Sequence, residues 1–246
     1  MKLYQEWAWL WSEVTPPETY RDEADDLFEI ITESIGRPPI NILELGAGGG
    51  YLLHDLQTKH PEVEVLLVDS SPEMLVEAQR RNPNAKTVLG DMATIALNQQ
   101  FDVVLLHDAV MYLSDRDEVQ KVLEVMKRHC SSEGIVVIIP DCCRETFEER
   151  ILTAQCHTER ASIHLTEWHW DPNEQEDVVS VEFSVLLREN VHQKVQSHHE
   201  THSMLVLSLG DWMSLFMENH WMQDFPSMPW MHGGELFLLR PMPSLC

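Results

Sequence analysis

Basic residues are scarce in this sequence. Its 17 lysines and arginines face 41 aspartates and glutamates, for a formal net charge of −24 at pH 7. Such a field repels phosphate backbones, which argues against a nucleic-acid partner, and it tolerates or attracts cationic small molecules. Solubility alone would explain much of the same charge. Cysteine is sparse too. Cys130, Cys142, Cys143, Cys156 and Cys246 form no C-x-x-C pair, and an odd number without a framework predicts a reducing, cytoplasmic setting. No apolar run reaches membrane-spanning length, and the first residues, Met1-Lys2-Leu3-Tyr4-Gln5-Glu6-Trp7, hold no apolar signal core. Internal repeats and low-complexity tracts are absent. The 246 residues suffice for one large domain, or one domain with a small insert, around a substantial core.

Glycine is also infrequent, 10 residues in all, which makes its clustering at Gly46, Gly48, Gly49 and Gly50 informative. The apolar run Ile40-Asn41-Ile42-Leu43-Glu44-Leu45 leads into this turn, and Tyr51-Leu52-Leu53-His54-Asp55-Leu56 leaves it with helical spacing. Strand, glycine loop and helix in that order make a nucleotide cradle. Gly46 and Gly48 let the backbone approach a ligand closely, and the helix N-terminus offers free N–H donors. Val63 to Val68 reads as the second strand and ends at Asp69, 23 positions after Gly46, where a carboxylate can accept hydrogen bonds from ribose hydroxyls. The dinucleotide fingerprint G-x-G-x-x-G requires glycine where Tyr51 stands; the pattern here is G-x-G-x-G.

With these residues the chain resembles class I S-adenosylmethionine-dependent methyltransferases of the small-molecule type. Glu44-Leu45-Gly46-Ala47-Gly48-Gly49-Gly50 is similar to the family's first motif, Asp69 to its ribose-binding acid, and Gly90-Asp91-Met92 to the element near its adenine. Phe101–Leu106 resembles the fourth strand and Gly134–Ile139 the fifth, so the resemblance spans roughly Pro39 to Asp141. It implies donor contacts at Glu44, Gly46, Ala47, Gly48, Asp69, Ser70, Met74, Asp91, Met92 and His107, with S-adenosylmethionine as cofactor and S-adenosylhomocysteine as product. The flanks resemble small-molecule methyltransferases with a Tyr/Trp-rich start and an E-W-x-W-D-P segment, here Glu167 to Pro172.

The spacing predicts helices over Leu3–Trp11 and Glu18–Ile35, the latter stopped by Gly36 and Pro38-Pro39. Strands and helices then alternate to Ile139, which argues for a parallel sheet with helices on both faces. Ser71-Pro72 opens one helix, and Ser114 or Asp115 caps another that runs to about His129. Beyond Asp141 the pattern changes. Val179 to Leu187 alternates as a half-buried strand, with flanking strands expected at Ser162–Trp170 and Val191–His202. Asp211 is expected to cap a last helix, and Leu236–Leu239 to close the sheet antiparallel. The resulting expectation is an α/β fold: a doubly wound, mostly parallel seven-stranded sheet with N-terminal helices and a small antiparallel meander insert. Its parts are an N-terminal helical lid over 1–38, a donor-binding core over 39–141, the meander over 160–205, and a C-terminal helix and strand over 206–246.

Ligands of open parallel sheets bind beyond the carboxyl ends of the strands. In the resembling enzymes the segment after the fourth strand, here His107-Asp108-Ala109-Val110-Met111-Tyr112, faces the methyl group and the acceptor. On that basis His107, Asp108 and Tyr112 are the catalytic candidates, His107 as a base with a pKa near the working pH and Asp108 as the holder of a cationic amine. A loop histidine and a capping aspartate are the plainer reading of the same residues. Tyr4, Trp11, Tyr20, Asp141, Glu167, His169 and Trp170 are the acceptor-pocket candidates, although aromatics at helical spacing also serve as core. Ser197-His198-His199-Glu200-Thr201-His202 lacks the H-E-x-x-H spacing, since position 203 is Ser203; strand alternation would put His198 and His202 on one face, but no metal is assigned.

The functional expectation is methyl transfer to a small-molecule acceptor, with an amine nitrogen favoured, by a monomer or homodimer without nucleic-acid or membrane partners. The alternatives are an O-methyltransferase, for which Arg144 or Arg160 would serve a carboxylate acceptor, a nicotinamide-dependent reductase, and a non-catalytic donor-binding protein.

Overall fold

The computed structural model of the chain describes residues 1–15, 19–191, 194–223, 228–230 and 234–241; Cys246 falls outside them. The chain opens with a 3-10 turn, Lys2–Tyr4, and a short helix α1 (Leu10–Val14), followed by α2 (Arg21–Ile35). The core then alternates β1 (Asn41–Leu45), α3 (Tyr51–Lys59), β2 (Glu64–Asp69), α4 (Pro72–Arg81), β3 (Lys86–Leu89), β4 (Phe101–His107), α5 (Arg116–His129) and β5 (Cys130–Ile139). Four strands follow: β6 (Arg150–His157), β7 (Ala161–Trp170), β8 (Val178–Glu189) and β9 (Gln196–Leu205). The last elements are α6 (Leu209–Glu218), β10 (Trp221–Gln223), β11 (Met228–Pro229) and β12 (Glu235–Pro241).

The main sheet runs β10-β12-β5-β4-β1-β2-β3, with β11 paired to β12, and β6 to β9 form a separate antiparallel meander. β1 lies between β2 and β4 in parallel register, and β12 runs antiparallel to β5. This is the doubly wound, mostly parallel sheet with an antiparallel insert that the pattern predicted. Side-chain alternation sorts each central strand between two cores. Leu43, Leu45, Val104, Leu106, Val136 and Ile138 pack with α5, α6, the N-terminal segment and the meander. Ile42, Val103, Leu105, Ile135, Val137 and Ile139 pack with α2, α3 and α4.

Helix ends follow local chemistry. Ser71 accepts the Met74 amide at the start of α4, where Pro72 occupies the first turn. Asp115 does the same for Glu118 in α5, whose last turn carries Lys127, Arg128 and His129 against the helix dipole. For α6 the expected cap is corrected. Ser208, not Asp211, is the capping residue, and its hydroxyl accepts the Asp211 amide. Asp211 sits one turn in, where its carboxylate receives Arg116 at 2.5 Å.

The N-terminus departs from the expected helix over Leu3–Trp11. Its amides go elsewhere: Lys2 and Leu3 donate to the Glu200 carboxylate on β9, and Ala8 and Leu10 make tight i→i−3 bonds to Gln5 and Trp7. β6 went unread because it is an edge strand, mostly exposed, with no apolar alternation in Arg150-Ile151-Leu152-Thr153-Ala154-Gln155-Cys156-His157. The meander's last strand starts at Gln196 rather than Val191, and α2 starts at Arg21 rather than Glu18, which lies outside the described residues.

Phe237 is fully buried on β12, with its ring 5.4 Å from Trp212 and 5.2 Å from Phe216. Phe237→Ala should therefore lower the unfolding free energy by about 3–5 kcal/mol. Urea denaturation with an unchanged slope measures this, and a change within experimental scatter would contradict the packing described.

Candidate active site

The glycine turn after β1 has φ of 66° at Gly46, 53° at Gly48 and 66° at Gly50. Left-handed backbone of this kind favours glycine, and at Gly46 space excludes anything else: an added Cβ would lie 2.3 Å from the Cβ of Ala109. Asp69 closes the cradle from the end of β2. Its Oδ2 accepts the Gly48 amide at 2.8 Å and its Oδ1 the Ser71 amide at 2.8 Å. Burial raises the Asp69 carboxyl above its usual range, opposed by the Ser71 and Gly48 amides. Met74 reaches under Gly48, and the sulfur of Met92 lies near Gly46. Ser70 and Asp91 are exposed at the rim, where Asp91 accepts the Ala93 amide.

Glu44 points from β1 toward the α2 side of the sheet, one residue before the turn. It is buried, and its Oε2 is without a hydrogen-bond partner among the described residues. Burial pushes its carboxyl up to about 8, against the pull of His107. An orphaned buried carboxylate oxygen beside a glycine cradle, with Asp69 opposite, fits a ligand that carries both an ammonium group and ribose hydroxyls. S-adenosylmethionine carries both.

Beyond the ends of β4 and β5 lies a cavity of about 190 Å³. Tyr20 and Trp230 wall it, Glu23, Asp108 and Asp141 supply carboxylates, and His107 and Arg150 supply the basic groups. His107 Nε2 sits 3.0 Å from Glu23 Oε1 and 3.3 Å from Asp108 Oδ1. Burial would lower the His107 pKa, but Asp108, Glu23 and Glu44 outweigh it and carry the value up to about 10. This corrects the expectation of a base poised near the working pH: the imidazole is held as a cation among carboxylates. Asp141 is driven well above the carboxylate range, by burial first and by the Asp108 charge second. Asp108 takes φ 55°, left-handed backbone in a non-glycine residue, at the point where the carboxylate must turn into the cavity.

Three of these residues, Glu23, Arg150 and Trp230, were not singled out from the sequence. Glu23 accepts from His107 and from the Trp230 indole, the latter at 2.6 Å. Its signal was available: positions 23, 27 and 31 form the buried stripe of α2, and an acid stands at its head. Arg150 lines the cavity, whereas the two arginines expected to serve a carboxylate are engaged elsewhere. Arg144 bonds Asp171 at 2.5 Å and the Glu176 carbonyl, and Arg160 stacks 3.5 Å over the Trp9 ring.

A second cluster joins the N-terminal segment to the meander. The hydroxyls of Tyr4 and Tyr112 are 2.6 Å apart, and Tyr112 reaches His202 Nδ1 at 3.1 Å. Trp11 stacks on Tyr4 and donates its indole N–H to the Leu3 carbonyl. Ser71 donates its hydroxyl to the Tyr4 carbonyl, so the segment also touches the donor cradle. Glu167 and His169 share the inward face of β7 and lie 3.4 Å apart. Trp170 is on the opposite face, where it donates to Glu182, which removes it from the acceptor candidates as strand alternation requires. The histidines of the Ser197–His202 run are bound to carboxylates: His198 and His202 both to Glu200 at 2.8 Å, and His199 to Glu182. No group of three or more metal-ligating residues is assembled among the described residues.

The raised pKa of His107 makes stability depend on pH with a definite sign. A group that titrates near 6.5 when unfolded and near 10 when folded stabilises fully below pH 6.5. That contribution is lost as the pH rises through about 10. Denaturant midpoints measured across this window should fall more steeply for the wild type than for His107→Asn. Parallel curves would show that His107 is not held charged.

Comparison with known proteins agrees with this geometry. Residues 42–134 match the family described as Methyltransferase domain. The chain is 30% identical over 144 residues to a malonyl-[acyl-carrier protein] O-methyltransferase from Bacillus cereus, an alignment covering 57% of this chain and 52% of that protein. It is 30% identical over 129 residues to the dTDP-3-amino-3,6-dideoxy-alpha-D-glucopyranose N,N-dimethyltransferase of Streptomyces fradiae, covering 52% and 49%. The chain thus spans about half the length of the curated relatives it matches. Among solved structures, a sugar N-methyltransferase from Streptoalloteichus aligns with a TM-score of 0.79 at 19% identity, over 91% of this chain and 88% of that one. An amino pentose methyltransferase from Micromonospora echinaspora, bound to S-adenosylmethionine, gives 0.74 at 21%, over 90% and 91%. At these identities the structural likeness speaks for the fold. The glycine turn, Asp69, Asp91 and His107 all lie inside the stretch matched by the methyltransferase domain, residues 42–134, and the fold that holds them is that of the solved methyltransferases.

Proposed function

We propose that this chain transfers a methyl group from S-adenosylmethionine to a small-molecule amine. The observation that carries the reading is the carboxylate-lined cavity beside the donor cradle: Glu23, Asp108 and Asp141 converge there against one imidazole and one arginine. Amines arrive protonated at neutral pH. Burial, and after it like-charge repulsion from Asp108, raises the Asp141 carboxyl, and an entering cation relieves that repulsion. S-adenosylmethionine, when bound, supplies an electrophilic methyl on a sulfonium, so the protein's task is to hold two reactants in line and keep the nucleophile's lone pair available.

The residues divide accordingly. Glu44, Asp69 and the amides of the Gly46–Gly50 turn hold the donor, with Met74 and Met92 packed behind the turn. Tyr20 and Tyr4 close the acceptor side from the N-terminal segments. Asp108 and Asp141 receive the ammonium group, and this carboxyl pair, in which Asp141 already favours the protonated form, takes the proton the nitrogen must lose before it attacks. His107, bonded to Glu23 and Asp108, fixes their direction rather than accepting that proton. The Streptomyces fradiae relative, by its description an N,N-dimethyltransferase of an amino sugar, supports nitrogen as the acceptor atom. The Bacillus cereus relative is an O-methyltransferase, and Arg150 in the cavity wall is the observation that favours an oxygen acceptor bearing a carboxylate.

Two measurements test the proposal. Asp69→Ala should weaken binding of S-adenosylhomocysteine by roughly 1.5–3 kcal/mol in calorimetry, the scale of hydrogen bonds to a charged group. Mass spectrometry of a panel of amines, alcohols and carboxylic acids should find methylated product among the amines, and Asp108→Asn should raise the acceptor KM while donor affinity holds. Product only from alcohols or acids would overturn the amine reading.

A further inference from the structure

Glu200 and His202 lie outside the donor cradle and the cavity, yet both are largely buried on the inner face of β9 and both are fully committed to hydrogen bonds. Glu200 receives four donors: the amides of Lys2 and Leu3 and the Nε2 atoms of His198 and His202. A carboxylate offers about four lone-pair sites, so this one is saturated and must be ionised. Burial alone would raise its pKa; the four donors bring it to about 2.

Hydrogen-bond directions then follow without ambiguity. An ionised carboxylate only accepts, so His202 carries its proton on Nε2, facing Glu200 at 2.8 Å. Burial keeps His202 below its ordinary pKa against the pull of Glu200, so the ring is neutral and Nδ1 is bare. A bare Nδ1 can only accept, so Tyr112 donates to it across 3.1 Å. Tyr112 has spent its one proton, so across the 2.6 Å contact the donor is Tyr4. Tyr4 in turn has no proton left for a ligand. Both phenolic oxygens retain lone pairs.

We infer that Tyr4 and Tyr112 form an ammonium-selective subsite whose polarity is set from behind by the Glu200–His202 pair. Both hydroxyls have spent their protons within the chain, so toward a ligand each can only accept. A protonated primary or secondary amine meets them with its N–H donors, whereas a carboxylate finds no hydroxyl proton. Glu200 and His202 are positioning residues: they touch no ligand, and they decide which way the tyrosine hydroxyls point. The aromatic faces of Tyr4, Trp11 and Phe183, which pack around His202 and one another, give the cation an apolar surround as well. The inference rests on the proposed methylation of an amine and assigns the groups that recognise it.

The test uses the full chain loaded with S-adenosylhomocysteine, titrated separately with butylammonium and with butyrate. Tyr4 and Tyr112 ring resonances report occupancy, and the His202 ring nitrogens report its tautomer. Butylammonium should move the tyrosine signals, and butyrate should not. His202→Phe, which removes the acceptor for the Tyr112 proton, should weaken butylammonium about tenfold or more. His202→Gln, whose amide oxygen can still accept, should restore most of that loss. S-adenosylhomocysteine affinity should stay within about twofold throughout. Should His202→Phe fold poorly, Tyr4→Phe removes a single oxygen from the subsite and should show the same selective loss. Butyrate binding as tight as butylammonium, or wild-type amine affinity in both variants, would overturn the inference. Methylated product found only among oxygen acceptors would instead overturn the amine reading, and the ammonium-over-butyrate titration would still stand or fall on its own.

Discussion

One buried imidazolium organises the ligand-binding end of this molecule. Glu23, Glu44, Asp108 and Asp141 come from four different segments and gather around His107 at the ends of β1, β4 and β5. Left alone, so many carboxylates at the ends of neighbouring strands would repel one another strongly. His107, reached by Glu23 at 3.0 Å and by Asp108 at 3.3 Å, offsets part of that repulsion and is itself kept charged by it. Neither side is stable without the other. The strand alternation of β4 makes the meeting possible, because it turns His107 to the same face as Val103 and Leu105, where α2 packs.

The donor half was legible because its requirements are local. Gly46, Gly48 and Gly50 are fixed by backbone conformation, Asp69 by its place at a strand end, and the Ser71 and Asp115 caps by chemistry within four residues. The acceptor half was legible only in part, because it is assembled across the chain. His107, Asp108 and Asp141 sit at strand ends and could be found by the rule that ligands gather there. Glu23 and Arg150 escape that rule: Glu23 is seated by helix packing and is marked only by the buried stripe of α2, and Arg150 lies on an edge strand with no periodic signal. Trp170 misled because its motif is contiguous, whereas alternation along β7 divides that motif between two faces. His202 is legible in hindsight as the one inward position of β9 where an imidazole precedes Met204 and Leu205.

The N-terminal segment also changes meaning in the structure. A run of aromatics at helical spacing reads as an amphipathic helix, yet its first amides serve Glu200 and its Tyr4 carbonyl serves Ser71. It is therefore a strap between the donor cradle and the meander rather than a helix with one buried face. Two side chains compete successfully with the helix for backbone partners, and the apolar residues follow wherever the backbone is tied.

The two halves are supplied by the chain in different ways. The proposed donor contacts lie in one continuous stretch between Glu44 and Met92, while the proposed acceptor side draws on the N-terminal segment, α2, the turn after β4, and strands β6, β7 and β9. The family match, ending at residue 134, stops before the meander begins. Under natural selection such a division uncouples two adaptive problems. Drift or recombination in the strap and meander can retune which nucleophile is accepted without disturbing how the methyl donor is gripped. Relatives that share the cradle are accordingly free to carry different chemistries, and ancestry read from the cradle alone is a poor guide to substrate.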